Sequence, residues 1–297
     1  MSPLHCLPCE DSDALAEQHR AALDIPRPRA AQLGRSAVYA ADQGHYDTDH
    51  GAAVDWRQLV EAAVAAKVSV PPDAALPAQA PTRHAVTRVQ VVNDTTMAAA
   101  RRLVDAGHLP LALNFANGIH PGGGFLSGSR AQEEVLCRSS ALAHTLWGDP
   151  MYDTHRKRPT PDSTDWAILS PRVPFFRLDD GTTLDAPWLL DVLTCAAPVA
   201  FRVGQPLAGD LMARRITRVL AIAQAHGYDT LVLGAWGCGA FGNDAHRTAR
   251  DFRAALEGPF GGVFAEVVFA VTDWSPERRF LGPFREVFQG DALGEPI

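Results

Sequence analysis

Residues 114–140, NFANGIHPGGGFLSGSRAQEEVLCRSS, set two adjacent glutamates a short distance after three glycines. Gly122, Gly123 and Gly124 carry no side chains, so their amides can approach an anion closely and the backbone can take positive φ. Ser129 and Gln132 fit the S-x-x-Q capping box, which starts a helix near Arg130. Glu133 and Glu134 then fall in its first turn, beside the glycines and Asn117. Neighbouring helix positions diverge by about 100°, so the two carboxylates face different ways and have different tasks. The helix dipole favours ionised carboxylates here, whereas a general acid must hold its proton near neutral pH. Any acid at this position therefore needs burial to raise its pKa. The bland alternative, two carboxylates that only complement the dipole, loses ground next to PGGG and Asn117.

A second segment, residues 231–244, LVLGAWGCGAFGND, again runs from apolar strand to glycine loop to helix. Gly237, Gly239 and Gly242 spell GxGxxG, a weak dinucleotide signal on its own. No Lys-Ser or Lys-Thr follows, so this is not a Walker A loop. Backbone amides over Gly237, Cys238, Gly239, Ala240 and Phe241, at a helix N-terminus, suit a diphosphate without any lysine. The alternative is a tight strand-to-helix turn, with Phe241 in the core instead of against a ribose. In VVNDTT, residues 91–96, Asp94 ends a strand, either as a helix cap or as an acceptor for an adenine amino group. Two thiol features weigh less. Cys6 and Cys9 form a CxxC with no second pair, in what reads as a frayed terminus, and Cys238 has no evident His partner for nucleophilic catalysis.

These segments require a scaffold that presents strand ends to helix starts. Short apolar runs at 88–92, 109–115, 193–197, 230–235 and 263–271 alternate with helical patterns at 95–105, 131–146, 209–226, 245–256 and 276–288. That order implies a parallel or mixed sheet covered on both faces, with ligands at the carboxyl ends of its strands. Before it, helical spacing at 12–23, 30–41 and 55–68 reads as an accessory layer, joined by a Pro- and Ala-rich linker over 70–82. The division expected is 1–82 for the helical region and linker and 83–297 for the catalytic unit. Residues 148–165 read as the least structured part, with Arg156, Lys157 and Arg158 either a solvated loop or a mobile lid.

Composition bounds the rest. The 297 residues are 46% hydrophobic and 21% charged, enough for a substantial core without staples. No apolar run nears the roughly 18 residues a membrane span needs, and the N-terminus lacks a leader pattern. Five cysteines, an odd and scattered set, fit a reducing, cytoplasmic setting better than a disulfide framework. A net charge of −7 opposes non-specific DNA or RNA binding, so any polyanion must be held by something other than bulk charge.

PGGGFLSGSRAQEE, three glycines, a spacer of seven and then Gln-Glu-Glu, resembles the signature of the poly(ADP-ribose) glycohydrolases. With NFAN before it, QEEVLCRSS within it and LVLGAWGCGAFGN downstream, it looks like the bacterial type of that family, over residues 88–288. The resemblance implies a macrodomain-like α/β/α sandwich with a mixed sheet and an N-terminal helical extension. It implies Glu134 as general acid and then base at a ribose–ribose bond, with Glu133 and Asn117 on the distal ribose hydroxyls. Residues 122–124 and 237–241, with Gln132, would hold ADP-ribose, Phe241 packing on its ribose and the substrate diphosphate supplying the second negative charge. Asp94 and Thr272 or Trp274 would form the adenine end. It implies no metal and no cofactor, poly(ADP-ribose) or ADP-ribose as partner, no direct DNA or membrane binding, and leaves the oligomeric state open. Two rival readings are an ADP-ribose reader without catalysis and, from GxGxxG, a nicotinamide-dependent oxidoreductase.

Overall fold

The structure is a computed structural model, described over residues 2–78 and 84–289. Its elements in chain order are β1 (Leu4–Cys6), α1 (Asp13–Leu23), α2 (Arg27–Gln43), β2 (His45–Asp47), β3 (Ala53–Asp55), α3 (Arg57–Ala66), β4 (Val68–Val70), β5 (Thr87–Val92), α4 (Thr96–Asp105), β6 (Leu111–Ala116) and α5 (Gln132–Ser139). There follow α6 (Leu142–Leu146), α7 (Pro150–Arg156), β7 (Ala167–Arg177), β8 (Thr183–Ala196), α8 (Ala200–Val203), α9 (Leu207–Ala225), β9 (Thr230–Leu233), α10 (Ala245–Glu257), β10 (Glu266–Ala270) and α11 (Leu281–Phe288). Among the described residues the main sheet has eight strands in the order β1-β5-β10-β9-β6-β8-β7-β4. Pairing is parallel from β1 to β8 and antiparallel for β7 and β4.

Strand alternation sends successive side chains to opposite faces, and here both faces are buried. Val89, Leu113, Leu231, Val267 and Phe269 pack with Ile216 of α9, Phe252 of α10 and Phe284 of α11. Ala112, Val232 and Val268 pack on the other face with Met97 of α4, Leu136 of α5 and Met151 of α7. The result is the three-layer sandwich expected. A smaller core joins Ala37 of α2 and Val60 of α3 to Tyr46, Trp56 and Phe176.

The N-terminal region is woven into this sheet. Its β1 and β4 supply the two edge strands, at opposite ends. Cys6 therefore lies in a paired strand and not in a frayed terminus. Arg177, buried in β7, donates to the Leu33 and Arg138 carbonyls and to Ser36 Oγ, tying α2 to the end of α5. Pro71 and Ala74 carbonyls accept from Arg218 of α9, so the start of the expected linker is packed down. The boundary at 82/83 lies outside the described residues.

Three local readings need correction. The single helix expected over 131–146 is two, because Ser140 is extended and its hydroxyl bonds both the Leu136 carbonyl and the Leu142 amide. Residues 150–156 form α7, capped by Asp149 with Pro150 at its first position. Strand β7 was not expected at all: Pro171 and Pro174 interrupt its pattern, and its ladder with β8 shifts register between Ser170 and Val173.

Candidate active site

A cavity of about 650 Å³ opens at the carboxyl ends of β5, β10, β9, β6 and β8. Thr95 and Thr96 follow β5, Thr272 follows β10, the loop 235–241 follows β9, Asn117 follows β6 and Ala197 follows β8; all except Cys238 within that loop line the cavity. Its far wall is the first turn of α5, with Gln132, Glu133 and Glu134.

The capping box does not form. Ala131 is the N-cap and no side chain caps the helix. The Gln132 amide instead accepts from the Phe115 amide and donates to the Leu113 carbonyl and Thr96 Oγ1, which fixes the start of α5 between β6 and α4. Glu133 and Glu134 are 3% and 8% exposed. Glu133 accepts from the Asn117 amide at 2.7 Å and from Asn114 Nδ2 at 3.3 Å. Glu134 Oε1 accepts from the Gly124 amide at 2.9 Å, while its Oε2 is buried without a partner. The carboxylates converge despite their divergent origins: a Cβ on Gly123, whose φ is +59°, would collide with both. Only glycine leaves this space and tolerates this conformation.

Burial pushes the Glu133 carboxyl from an ordinary 4.5 up to about 8, against the pull of the Asn117 amide and with the charge of Glu134 adding to the rise. One turn beyond Glu134, Arg138 is buried, with Nε and Nη1 unpartnered. Burial lowers its pKa, and the charges of Asp179 and Glu134 oppose that. Asp179, on the β7–β8 turn, lines the cavity, receives a 2.7 Å bond from Thr95 Oγ1 and keeps Oδ1 unpartnered. Its pKa rises to about 6 through burial. Neither residue was singled out from sequence; the i,i+4 spacing of Glu134 and Arg138 was the available signal.

The two glycine loops differ. In residues 122–124 the amides are spent inside the protein: Gly122 on Glu133, Gly123 on the His120 carbonyl, Gly124 on Glu134. None of the three lines the cavity, and Gly123 sits against both carboxylates. In the second loop the amides of Gly239, Ala240 and Phe241 find no acceptor among the described residues, and all three residues line the cavity. Gly237, at φ +75°, lets Asn243 bond its carbonyl and close the turn. Cys238 points away, donating to the Trp236 carbonyl, and burial raises its thiol to about 12, which disarms it as a nucleophile.

Asn117 lines the cavity, its Oδ1 held by the Ile119 and His120 amides. Phe241, Thr272 and Trp274 line it too, Thr272 Oγ1 donating to the Asp94 carbonyl. Asp94 does not; its oxygens are taken by the Thr95 amide, His19 and Arg102. The basic loop is not a free lid. Arg156 donates to the Ile119 carbonyl and pairs with Asp153, and Arg158 pairs with Asp162. Sequence reasoning also missed Leu23, Arg27 and Arg130 on the cavity wall.

Among the described residues no group of three or more His, Cys, Asp or Glu side chains is placed to hold a metal, and no helix is long and apolar enough to cross a membrane. The family model for the microbial-type PARG catalytic domain matches residues 34–178. The poly(ADP-ribose) glycohydrolase of Thermomonospora curvata is 39% identical, with a TM-score of 0.81 over 87% of this chain and 99% of that one. A structure of that enzyme bound to the inhibitor ADP-HPD is 38% identical, with a TM-score of 0.79 over 87% and 98%. The Deinococcus radiodurans enzyme in complex with ADP-ribose is 39% identical, with a TM-score of 0.72 over 77% and 97%. No curated protein matches the chain. With this likeness in sequence and in its macrodomain-like fold, the chain belongs to the microbial-type poly(ADP-ribose) glycohydrolase family.

Proposed function

We propose that this chain hydrolyses the ribose–ribose O-glycosidic bonds of poly(ADP-ribose) and releases ADP-ribose. The observation that carries the reading is Glu134: one carboxylate oxygen pinned by the Gly124 amide, the other buried and unpartnered in a cavity that presents three free amides from the Gly239–Phe241 stretch. Those amides suit the diphosphate of one ADP-ribose unit, which explains how an acidic chain holds a polyanion. The Glu134 proton passes to the ribose oxygen of the departing unit as its bond to the anomeric carbon breaks and an oxocarbenium-like centre forms. The carboxylate then takes a proton from water while the water oxygen bonds that carbon, which restores the acid.

Glycosidases usually flank the bond with two carboxylates. Glu133 is held by Asn114 and the Asn117 amide and is protonated near neutrality, so it serves the distal ribose hydroxyls together with Asn117. The second negative charge at the anomeric carbon comes from the substrate's own diphosphate. Thr272, Trp274 and Phe280, on the cavity wall past β10, form the adenine end, and Phe241 packs on the distal ribose. The five cysteines, none in a disulfide and all buried or half-buried, support a reducing, cytoplasmic setting.

The test is incubation of the purified chain with poly(ADP-ribose), with free ADP-ribose resolved by chromatography. Release is the expected result. Binding of ADP-ribose without any release would overturn the reading in favour of a non-catalytic reader.

A further inference from the structure

The cavity has a second wall that the released unit's diphosphate does not explain. Arg27, the first residue of α2, and Arg130, just before α5, both line it. Arg130 donates to Asp24 Oδ1 at 2.5 Å and to the Ile25 carbonyl at 2.8 Å, which joins the catalytic loop to the turn between α1 and α2. Arg27 is exposed and donates to no acceptor among the described residues. The first turn of α2 carries Arg27 and Arg29 and no acid, the reverse of what a helix dipole favours, and its N-cap, Pro26, gives no side-chain bond. Asp24 offsets Arg130, which leaves Arg27 as an uncompensated positive charge on this wall of a chain of net charge −7.

This placement is chemically directed. The free amides of the second glycine loop come from the β9–α10 connection, whereas the arginines come from the α1–α2 turn and the loop before α5. Arg130 stands four residues before Glu134, and both line the same cavity. On the other side of the bond to be broken is a ribose whose own 5′ carbon bears the next diphosphate.

We infer that Arg27 and Arg130 form a phosphate subsite for the ADP-ribose unit that departs, so that this chain prefers a polymer to a single ADP-ribose bearing an uncharged leaving group. The inference rests on the function proposed above. Arg130 is held in place by Asp24, and Arg27 is the adjustable half.

The experiment compares kcat/KM on poly(ADP-ribose) with kcat/KM on ADP-ribose carrying a p-nitrophenoxy group at the same anomeric carbon, for the wild-type chain, Arg27→Glu and Arg27→Lys. The polymer-to-nitrophenyl ratio is expected to fall roughly three- to tenfold in Arg27→Glu at low salt, to recover in Arg27→Lys, and to converge with wild type at high salt. An unchanged ratio in Arg27→Glu overturns the subsite. So does an equal loss of affinity for free ADP-ribose, which would assign the arginines to the bound unit's own diphosphate. Turnover of neither substrate by the wild-type chain would overturn the proposed function itself and the subsite with it.

Discussion

Replacing Glu133 by Gln should stabilise the protein, and more so as the pH rises. The native state raises this carboxyl from 4.5 to about 8, so between those values the folded chain holds a proton that the unfolded chain has released. The stability tied to that proton is complete below 4.5 and declines as pH climbs through the window to about 8. At 1.36 kcal/mol per unit the ceiling is about 5 kcal/mol; relaxation and water penetration around the ionised carboxylate bring a working figure near 2 kcal/mol. Gln carries no charge and removes the decline. Its carbonyl can keep the Asn117 amide, and its NH₂ can meet Asn114, whose Oδ1 has no partner, after an amide flip. Thermal unfolding of both proteins near pH 5 and near pH 8 measures the effect. The melting temperature of Glu133→Gln should exceed wild type by ~5 °C at the higher pH and by much less at the lower. An equal gap at the two values, or a less stable variant at the higher one, would refute burial as the cause of the shift.

Two further outcomes follow from the geometry. Gly123→Ala places a methyl against both carboxylates at a backbone conformation L residues avoid, so turnover should fall at least tenfold, ~1.4 kcal/mol in the barrier, while circular dichroism keeps its native form; normal turnover would show that the carboxylates do not need this approach. Asp179→Asn should remove a titration near pH 6 from the pH dependence of kcat/KM, because that carboxyl, raised by burial, changes charge there beside Arg138, which also feels the charge of Glu134; an identical pH profile would detach Asp179 from the reaction.

Much of this was readable from the chain. Strand-loop-helix order placed β5, β6, β9 and β10 within a few residues, since apolar runs buried on both faces leave a clear trace. The antiparallel β7 left none, because Pro171 and Pro174 break its alternation. The spacing of the triglycine and Gln-Glu-Glu located the carboxylates, yet composition alone could not say which amides of two glycine loops remain free. That depends on Glu133 and Glu134 folding back over residues 122–124, a tertiary contact. Likewise Arg27 and Asp179 come to the cavity from distant turns with no local motif. Asp94 looked like a ligand contact by position, but Arg102 of the following helix and His19 of the distant α1 occupy its oxygens.

The central claim is that Glu134 moves the proton and does not merely hold the ligand. Glu134→Gln keeps an acceptor for the Gly124 amide but has no proton to give. Release of ADP-ribose from polymer should fall roughly 10²–10⁴-fold, while calorimetry with free ADP-ribose shows a Kd within about threefold of wild type, a change below 0.7 kcal/mol. Near-normal release by Glu134→Gln, or loss of release matched by loss of ADP-ribose binding, would contradict the account.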